Sequence, residues 1–542
     1  MEQLIRVADH CLLDLSSMCS SIQSTKSISA SCLAELDDIS SVFDVNQFLQ
    51  SAKGCSSRFP LENCRNLRIF LQHRLDADRL QSAVQMVLDS PAVPGMLQSL
   101  HNQHRIAFLS HGFMRRFIGD VLSTEHAVSQ CVFYYLLDFE LSLEIAWTLS
   151  LMTRGNDAQI RCLVDCDIIP SLIRLFALSS STNTKSLALE GLTNIIGPIR
   201  SGHGHCDGDQ HLDVVPMMLR LHFLDFMHCE VQKMASNPLH DGLPYFLRQI
   251  ANSLHTLLEV AVPAPPQWLS LSVIIKMLQT LFRSKDGETL QAVCWSLEVL
   301  CGRDDRYHLL RAHLINSGLV DSAASLLDHK LPNIRLSALK VMAQMAAGPQ
   351  HQKRHLLEIG ILDRVIPLLC DMEHDMLRSA SCWLVANMVT VDETASCLVD
   401  HDAFRLVLDR LLNDDYFVAK EAFVAVERAV RTLAVEQIEA MLFRNVLVAV
   451  CSFMTRWVID RRQMAATLST LRVLFEADSS RKHVASCIEC GGLQFLLEFI
   501  ASNDTPPDLQ RVATGIVRGG YFTRNQIQSV MDDIYRDEGG MH

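Results

Sequence analysis

From about residue 42 onward, apolar residues recur at helical spacing in runs separated by Gly, Pro and polar turns. Phe113, Phe117, Ile118 and Val121 form one such run, and Leu67, Ile69 and Phe70 open an earlier one. Three runs are near copies: Ala292 to Leu300, Ala338 to Met345 and Ala380 to Met388. Superposed, they place Trp295, Lys340 and Trp383 in one column, at steps of 45 and 43 residues. Followed in both directions, the column passes through Trp147, Glu190, Asn252 and Val424, with a blurred copy near Ser469. The step from Glu190 to Asn252 is 62 residues, which predicts about one surface loop of excess between two units.

A helical period of about 40–47 residues is the signature of stacked armadillo or HEAT units. The predicted fold is all-α, an armadillo/HEAT-type α-solenoid superhelix of about 9–10 repeats. Each unit buries one face within itself and the other against its neighbour. The predicted organisation is a poorly ordered or short-helix segment over 1–41, the solenoid over 42–522 with an irregular insert at about 197–244, and a C-terminal tail over 523–542. The third helix of each unit is expected to line a concave groove, and the column residues to face it.

Composition narrows what the groove could hold. Lys and Arg number 48 against 61 Asp and Glu, a net charge of −13, which argues against nucleic acid as the main partner. The longest uncharged run, Val260 to Ile275, contains Pro263, Pro265 and Pro266 and is short for a membrane span. The N-terminus lacks the basic-then-apolar pattern of a signal peptide. Eighteen cysteines lie scattered in apolar stretches, as free thiols in a reducing compartment would. Cys487 and Cys490 form a lone CxxC without a second pair and read as structural thiols. The insert carries His203, His205, Cys206, Asp207, Asp209 and His211, metal ligands by type but with no standard spacing, so no metal is expected. No nucleophile elbow, phosphate loop, zinc-protease helix or dinucleotide turn is present, and neither catalysis nor a cofactor is expected.

The column segments resemble the third helices of importin-α, the armadillo adaptor of nuclear import. The resemblance covers most of residues 42–522, including the Trp147 segment and the stretch Ile488 to Phe499. It implies that an asparagine one turn past each tryptophan holds the main chain of an extended peptide. The indole rings flank the aliphatic stems of its lysines, and acids take the ammonium heads. Carried over residue by residue, Trp383 and Asn387 are the one intact pair, and Glu421 matches an acid one turn before the next column position. Trp147 and Trp295 keep the ring with Leu151 and Val299 in place of asparagine, and Asn194 keeps the amide with Glu190 in place of tryptophan. Lys340 and Arg428 put positive charge where a basic peptide would run. The basic N-terminal segment by which the family binds importin-β has no counterpart, since residues 1–40 hold only Arg6 and Lys26, so that partnership is not expected by the family's route.

The expected function is therefore a non-enzymatic, peptide-binding adaptor for protein import, working between cytoplasm and nucleus. Its site is Trp383, Asn387 and Glu421, supported by Trp295, Trp147 and Asn194. The alternative is a scaffold of the same fold that binds a folded protein partner and plays no part in transport.

Overall fold

The structure, a computed structural model, describes Arg65, Arg68, Gln85 and residues 142–539 apart from 167, 202–213, 237–242, 262–269, 303–307, 390–397 and 479–480. The expected lead-in over 1–41 and the potential metal ligands of the insert lie outside the described residues. Those residues form helices and no strand, and the fold is an all-α solenoid of armadillo type. The chain divides into two compact units, Met1–Phe226 and Met227–His542. No single helix among the described residues is long and apolar enough to cross a membrane.

Among the described residues the third helices of the first unit are 142–152, which carries Trp147, and the one labelled α1 (Thr182–Ser201), and seven more lie in the second unit. Those seven are α2 (Leu243–Ala261), α3 (Gly287–Leu300), α4 (Pro332–Ala346), α5 (Asp375–Met388), α6 (Tyr416–Thr432), α7 (Arg461–Ala477) and α8 (Pro507–Arg518). Local sequence sets where they begin. The Asp286 carboxylate accepts from Thr289 N at 2.9 Å and starts α3; Asp415 does the same for Val418 N at 3.1 Å and starts α6. Asp460 and Gln463 make a reciprocal capping box at α7, and Pro332 occupies the first turn of α4. The turn between first and second helices needs a left-handed residue. Gly318 (φ 72°), Gly360 (φ 70°) and Gly491 (φ 78°) supply it, and Asn445 (φ 63°) takes the same place in the unit without a glycine there.

Within the second unit each third helix packs on the next, from α2 through α8. Two residues beyond each column position, on the opposite side of the helix, stand Leu254, Leu297, Met342, Val385, Val426 and Leu471, all fully buried. Burying such a side chain stabilises by about 1.5–3 kcal/mol, so this row is the main adhesive of the stack. Near the N-terminal ends, an arginine of one third helix reaches an aspartate at or just before the start of the next. Arg248 meets Asp286 at 2.9 Å, Arg335 meets Asp371 at 3.2 Å, Arg378 meets Asp414 at 2.7 Å and Arg461 meets Asp508 at 3.0 Å.

Two segments differ from expectation. The expected 523–542 tail carries the helix Arg524–Gly539, which packs on Gly492–Ala501. Thr523 and Gln526 cap its start reciprocally, through Thr523 N to Gln526 Oε1 at 2.8 Å and Gln526 N to Thr523 Oγ1 at 3.3 Å. The excess residues at 197–244 also do more than loop out, since they include the helices Val214–Arg220 and Phe223–Ser236, with Val214, Val215, Met218 and Phe223 buried.

Candidate functional site

The column read from sequence is a physical line of access. Asn252, Trp295, Lys340, Trp383, Val424 and Ser469 all reach solvent, while the residue before and the residue after each of them are buried. Trp295 is 36% exposed between Cys294 and Ser296, both at 0%. Trp147 and Glu190 hold the same position in the first unit, each half-buried between buried neighbours. A side chain one or four positions away on a helix lies about 100° or 40° round the axis. Burial of the adjacent positions beside access at the column therefore means that one narrow stripe of each third helix faces outward.

In the second unit this stripe brings together aromatic and charged groups. The Trp295 ring lies 5.6 Å from the imidazole of His255 in the preceding third helix, tilted by 42°. Lys340 and Trp383 are half-buried on α4 and α5. Glu421 is half-buried on α6, and its side chain makes no hydrogen bond or ion pair among the described residues. Burial raises its carboxyl above the usual range, and the nearby charges of Lys420 and Arg428 pull it back only in part.

Asn387 is placed differently from its column partner. It is 4% exposed, and its Nδ2 donates to the Ala343 carbonyl at 2.9 Å. Its Oδ1 accepts from Arg428 at 2.6 Å, and the same guanidinium nitrogen donates to the Ala386 carbonyl at 3.0 Å. In the first unit Asn194 Nδ2 lies 3.5 Å from the Ser150 carbonyl and 3.2 Å from Thr153 Oγ1. Asn194, Asn387 and Arg428 each stand four residues past their column, and each reaches the carbonyl three residues past the preceding column. The last four carbonyls of a helix lack intrahelical donors. The Ala343 carbonyl also accepts from the Ala347 amide at 3.1 Å and the Ser150 carbonyl from Thr153 Oγ1 at 2.7 Å, so the two asparagines add a second donor there, while Arg428 caps the Ala386 carbonyl.

The acids and the ring of the first unit already hold arginines of the same chain. The Arg68 guanidinium lies 4.3 Å from the centroid of the Trp147 ring and donates to Glu144 Oε2 at 2.6 Å, and Arg65 approaches the other oxygen at 3.5 Å. Arg154 pairs with Glu190. A cation over an indole beside a carboxylate is the arrangement that would take a basic side chain from another molecule. Here it is made by residues 79 and 76 positions apart in the sequence, which no periodic pattern announces.

No protein-family pattern matches the chain. Importin subunit alpha-1b of Oryza sativa subsp. japonica is 22% identical over 251 residues, covering 45% of this chain and 41% of the relative's own length. Importin subunit alpha-8 of Arabidopsis thaliana is 22% identical over 346 residues, covering 64% of this chain and 71% of the relative. Among solved structures, an engineered protein aligns over 90% of this chain and 98% of its own with a TM-score of 0.61 at 16% identity, a likeness of fold. Together with the helix stack and the column, these similarities make the chain resemble a divergent importin-α-like armadillo-repeat protein.

Proposed function

We propose that this chain is a non-enzymatic adaptor that holds an extended segment of a partner protein along the outward stripe of α2 to α7. The observation that carries this reading is the continuous access at the column positions. Between buried neighbours, Trp295 and Trp383 offer ring surface for the aliphatic stem of a lysine or arginine, and the unpaired Glu421 carboxylate offers a place for its charge. Asn387 would meet the main chain of the segment through its remaining amide hydrogen, once the Arg428 guanidinium moves aside. Trp147 and Asn194 belong to the corresponding face of the first unit, where a basic side chain would take the place that Arg68 holds. The similarity to importin-α subunits favours a nuclear-localisation peptide as the segment, import into the nucleus as the task, and cytoplasm and nucleus as the compartments.

The test is binding of a fluorescent lysine-rich localisation peptide to the full chain, followed by anisotropy over a salt series. Trp383→Ala is expected to weaken binding by about 1–3 kcal/mol, as loss of a buried aromatic anchor does. Trp295→Ala should weaken it as well, and affinity should fall with salt. Equal affinity in both variants and the parent would remove the stripe from consideration.

A second reading, a scaffold for a folded partner, draws on a different surface. Leu331, Met376 and Phe417 are 51%, 46% and 48% exposed at the N-terminal ends of α4, α5 and α6. Exposed apolar residues repeated at one edge are what a protein–protein contact would cover. A pulldown distinguishes the two readings. Recovery of transport factors such as importin-β favours the adaptor. A stable complex that survives Trp383→Ala and is lost with Phe417→Asp favours the scaffold.

A further inference from the structure

The outward stripe becomes basic toward the C-terminal end of the second unit. Helices α2 to α5 hold four Lys and Arg against four Asp and Glu, whereas α6 to α8 hold eight against four, in a chain of net charge −13. Carried past Ser469, the column reaches Gly515 in α8, two residues before the buried Val517, and a β-carbon added there meets nothing within 4 Å. Lys420, Arg462 and Arg511 precede their columns by four, seven and four residues, and Arg428, Arg472 and Arg518 follow theirs by four, three and three. All six are exposed. At 100° per residue each lies within about 60° of its column, so the six share the outward face. At 1.5 Å per residue they form two rows about 10–15 Å apart, one on each side of Val424, Ser469 and Gly515. Lys420, Arg462, Arg511 and Arg518 pair with no acid among the described residues. The acids of these helices leave the excess standing. Glu427, Glu476 and Asp508 are taken by Arg431, Arg472 and Arg461 at 3.0, 2.8 and 3.0 Å, and Glu421 is one carboxylate near both Lys420 and Arg428.

We propose that the stripe over α6 to α8 binds an extended acidic segment of a partner protein, with its carboxylates on the two rows of cations. The dimensions suit an extended chain. Successive side chains of a strand point to opposite sides, so consecutive acids reach both rows. Three third helices packed about 8–10 Å apart give a track of about 20–30 Å, the length of about 6–9 extended residues. Between the rows only a valine, a serine and a glycine stand on the column, so the main chain can lie close to the helices. Arginine supplies five of the six cations, and its planar fork matches a carboxylate. A short acidic segment fits the charge better than nucleic acid does. A long polyanion runs on beyond the basic face into the field of a chain that is acidic as a whole, whereas a segment of this length ends with the face. This site does not depend on the lysine-rich segment, whose rings Trp295 and Trp383 lie on α3 and α5. Arg428 marks the boundary between the two: it repels a lysine and attracts a carboxylate.

The experiment measures anisotropy of a fluorescein-labelled peptide, three repeats of Glu-Glu-Ser, with the full chain at low salt. The same peptide with Gln in place of Glu is the neutral control. The acidic peptide is expected to bind at least about tenfold more tightly than the control, with affinity falling as salt rises. Arg462→Glu with Arg511→Glu should weaken it about tenfold or more, and Arg472→Gln with Arg518→Gln should weaken it less. All four side chains are exposed, so the variants should fold, and circular dichroism of each checks this. Trp295→Ala should leave the acidic peptide's affinity unchanged, and the arginine variants should not weaken a lysine-rich peptide, which separates this site from the lysine-rich one. If a variant does not fold, the parent's preference for the acidic peptide over the control and over a single-stranded oligonucleotide decides alone. Equal binding of the acidic and neutral peptides, parent-like affinity in the folded Arg462→Glu and Arg511→Glu variant, or displacement of the peptide by a lower concentration of the oligonucleotide overturns the proposal.

Discussion

The Arg428 guanidinium of α6 donates at 2.6 Å to the Oδ1 of Asn387 on α5, and so places a positive charge beside the amide offered as the peptide contact. Arg428 also caps the end of α5 through the Ala386 carbonyl, where Asn387 and Asn194 donate to carbonyls of the preceding third helix that already hold a donor. A lysine-rich segment approaching Asn387 meets this charge, and its main chain reaches the amide only when the guanidinium is displaced. Arg428→Ala is therefore expected to raise affinity for such a peptide by about 1 kcal/mol, roughly fivefold, with the gain shrinking as salt screens it. The lost carbonyl cap should lower stability by about 1 kcal/mol. Anisotropy titrations at low and high salt check the first effect and urea unfolding the second. A fall in affinity would make Arg428 a ligand contact instead.

Glu421 supplies a pH test of the same face. Burial raises its carboxyl above the usual carboxylate range in the folded chain. For an acid with a raised folded value, the cost to stability is absent below its unfolded value, near 4.3, and is fully present above the folded one. Glu421→Gln should thus raise the melting temperature at pH 7.5 and leave it unchanged at pH 4. It should also weaken binding of a basic peptide at neutral pH. In the parent chain, affinity should climb with pH across the titration of this carboxyl, since a bound ammonium favours the ionised form. A flat profile would detach Glu421 from the ligand.

The buried pair near the N-terminal ends of α5 and α6 gives the opposite sign. Arg378 donates twice to Asp414, at 2.7 and 2.9 Å, with the side chains 6% and 4% exposed. Burial pushes the Asp414 carboxyl up, but the hydrogen bonds from Arg378 and from the Asp415 amide, with the charge of Arg410, outweigh it and leave the carboxyl below its usual range. The pair therefore contributes fully above the unfolded value, near 3.9, and its contribution is lost as pH falls through the folded one. Arg378→Ala, which leaves that carboxylate only the longer Arg410 contact at 3.3 Å, should cost about 3 kcal/mol at neutral pH. Urea midpoints at pH 7 and pH 3 check both the size and its decline.

The stack and its outward stripe were legible because two periods coincide. One is the helical turn, which separates Trp383 from Cys382 and Leu384, and the other is the step near 43 residues, which returns the same stripe in the next unit. The use made of Asn387 was not legible, because an amide one turn past a tryptophan reads alike whether it meets a peptide or a neighbouring helix end. The Arg68 contact with Trp147 joins distant segments, and nothing in either segment marks the other. The inter-helix bridges could have been found: Arg248, Arg335 and Arg378 precede their columns by four or five residues, but in a chain this charged each passes for a solvated side chain. The helix Arg524–Gly539 was hidden by polar composition, although Ile527, Val530, Met531 and Ile534 keep helical spacing behind the Thr523 and Gln526 cap. Cys451 stands one repeat before Cys487, so the CxxC motif alone did not show that these two sulfurs meet at 3.5 Å.

Two helical glycines should respond in opposite directions to the same change. Gly515 lies inside α8, where an added β-carbon meets nothing within 4 Å. Alanine there removes backbone freedom from the unfolded chain without a clash, and Gly515→Ala should stabilise by about 0.5–1 kcal/mol. At Gly492 the same entropic gain is available, but the β-carbon would stand 2.8 Å from two sulfurs and 3.1 Å from the Cys487 carbonyl oxygen. Overpacking of this kind costs about 1–3 kcal/mol, more than the gain, because both sulfurs are themselves hemmed in by buried neighbours. Gly492→Ala should therefore destabilise. Urea midpoints of the two variants beside the parent measure the contrast; if Gly492→Ala proves as benign as Gly515→Ala, the two sulfurs do not crowd that backbone.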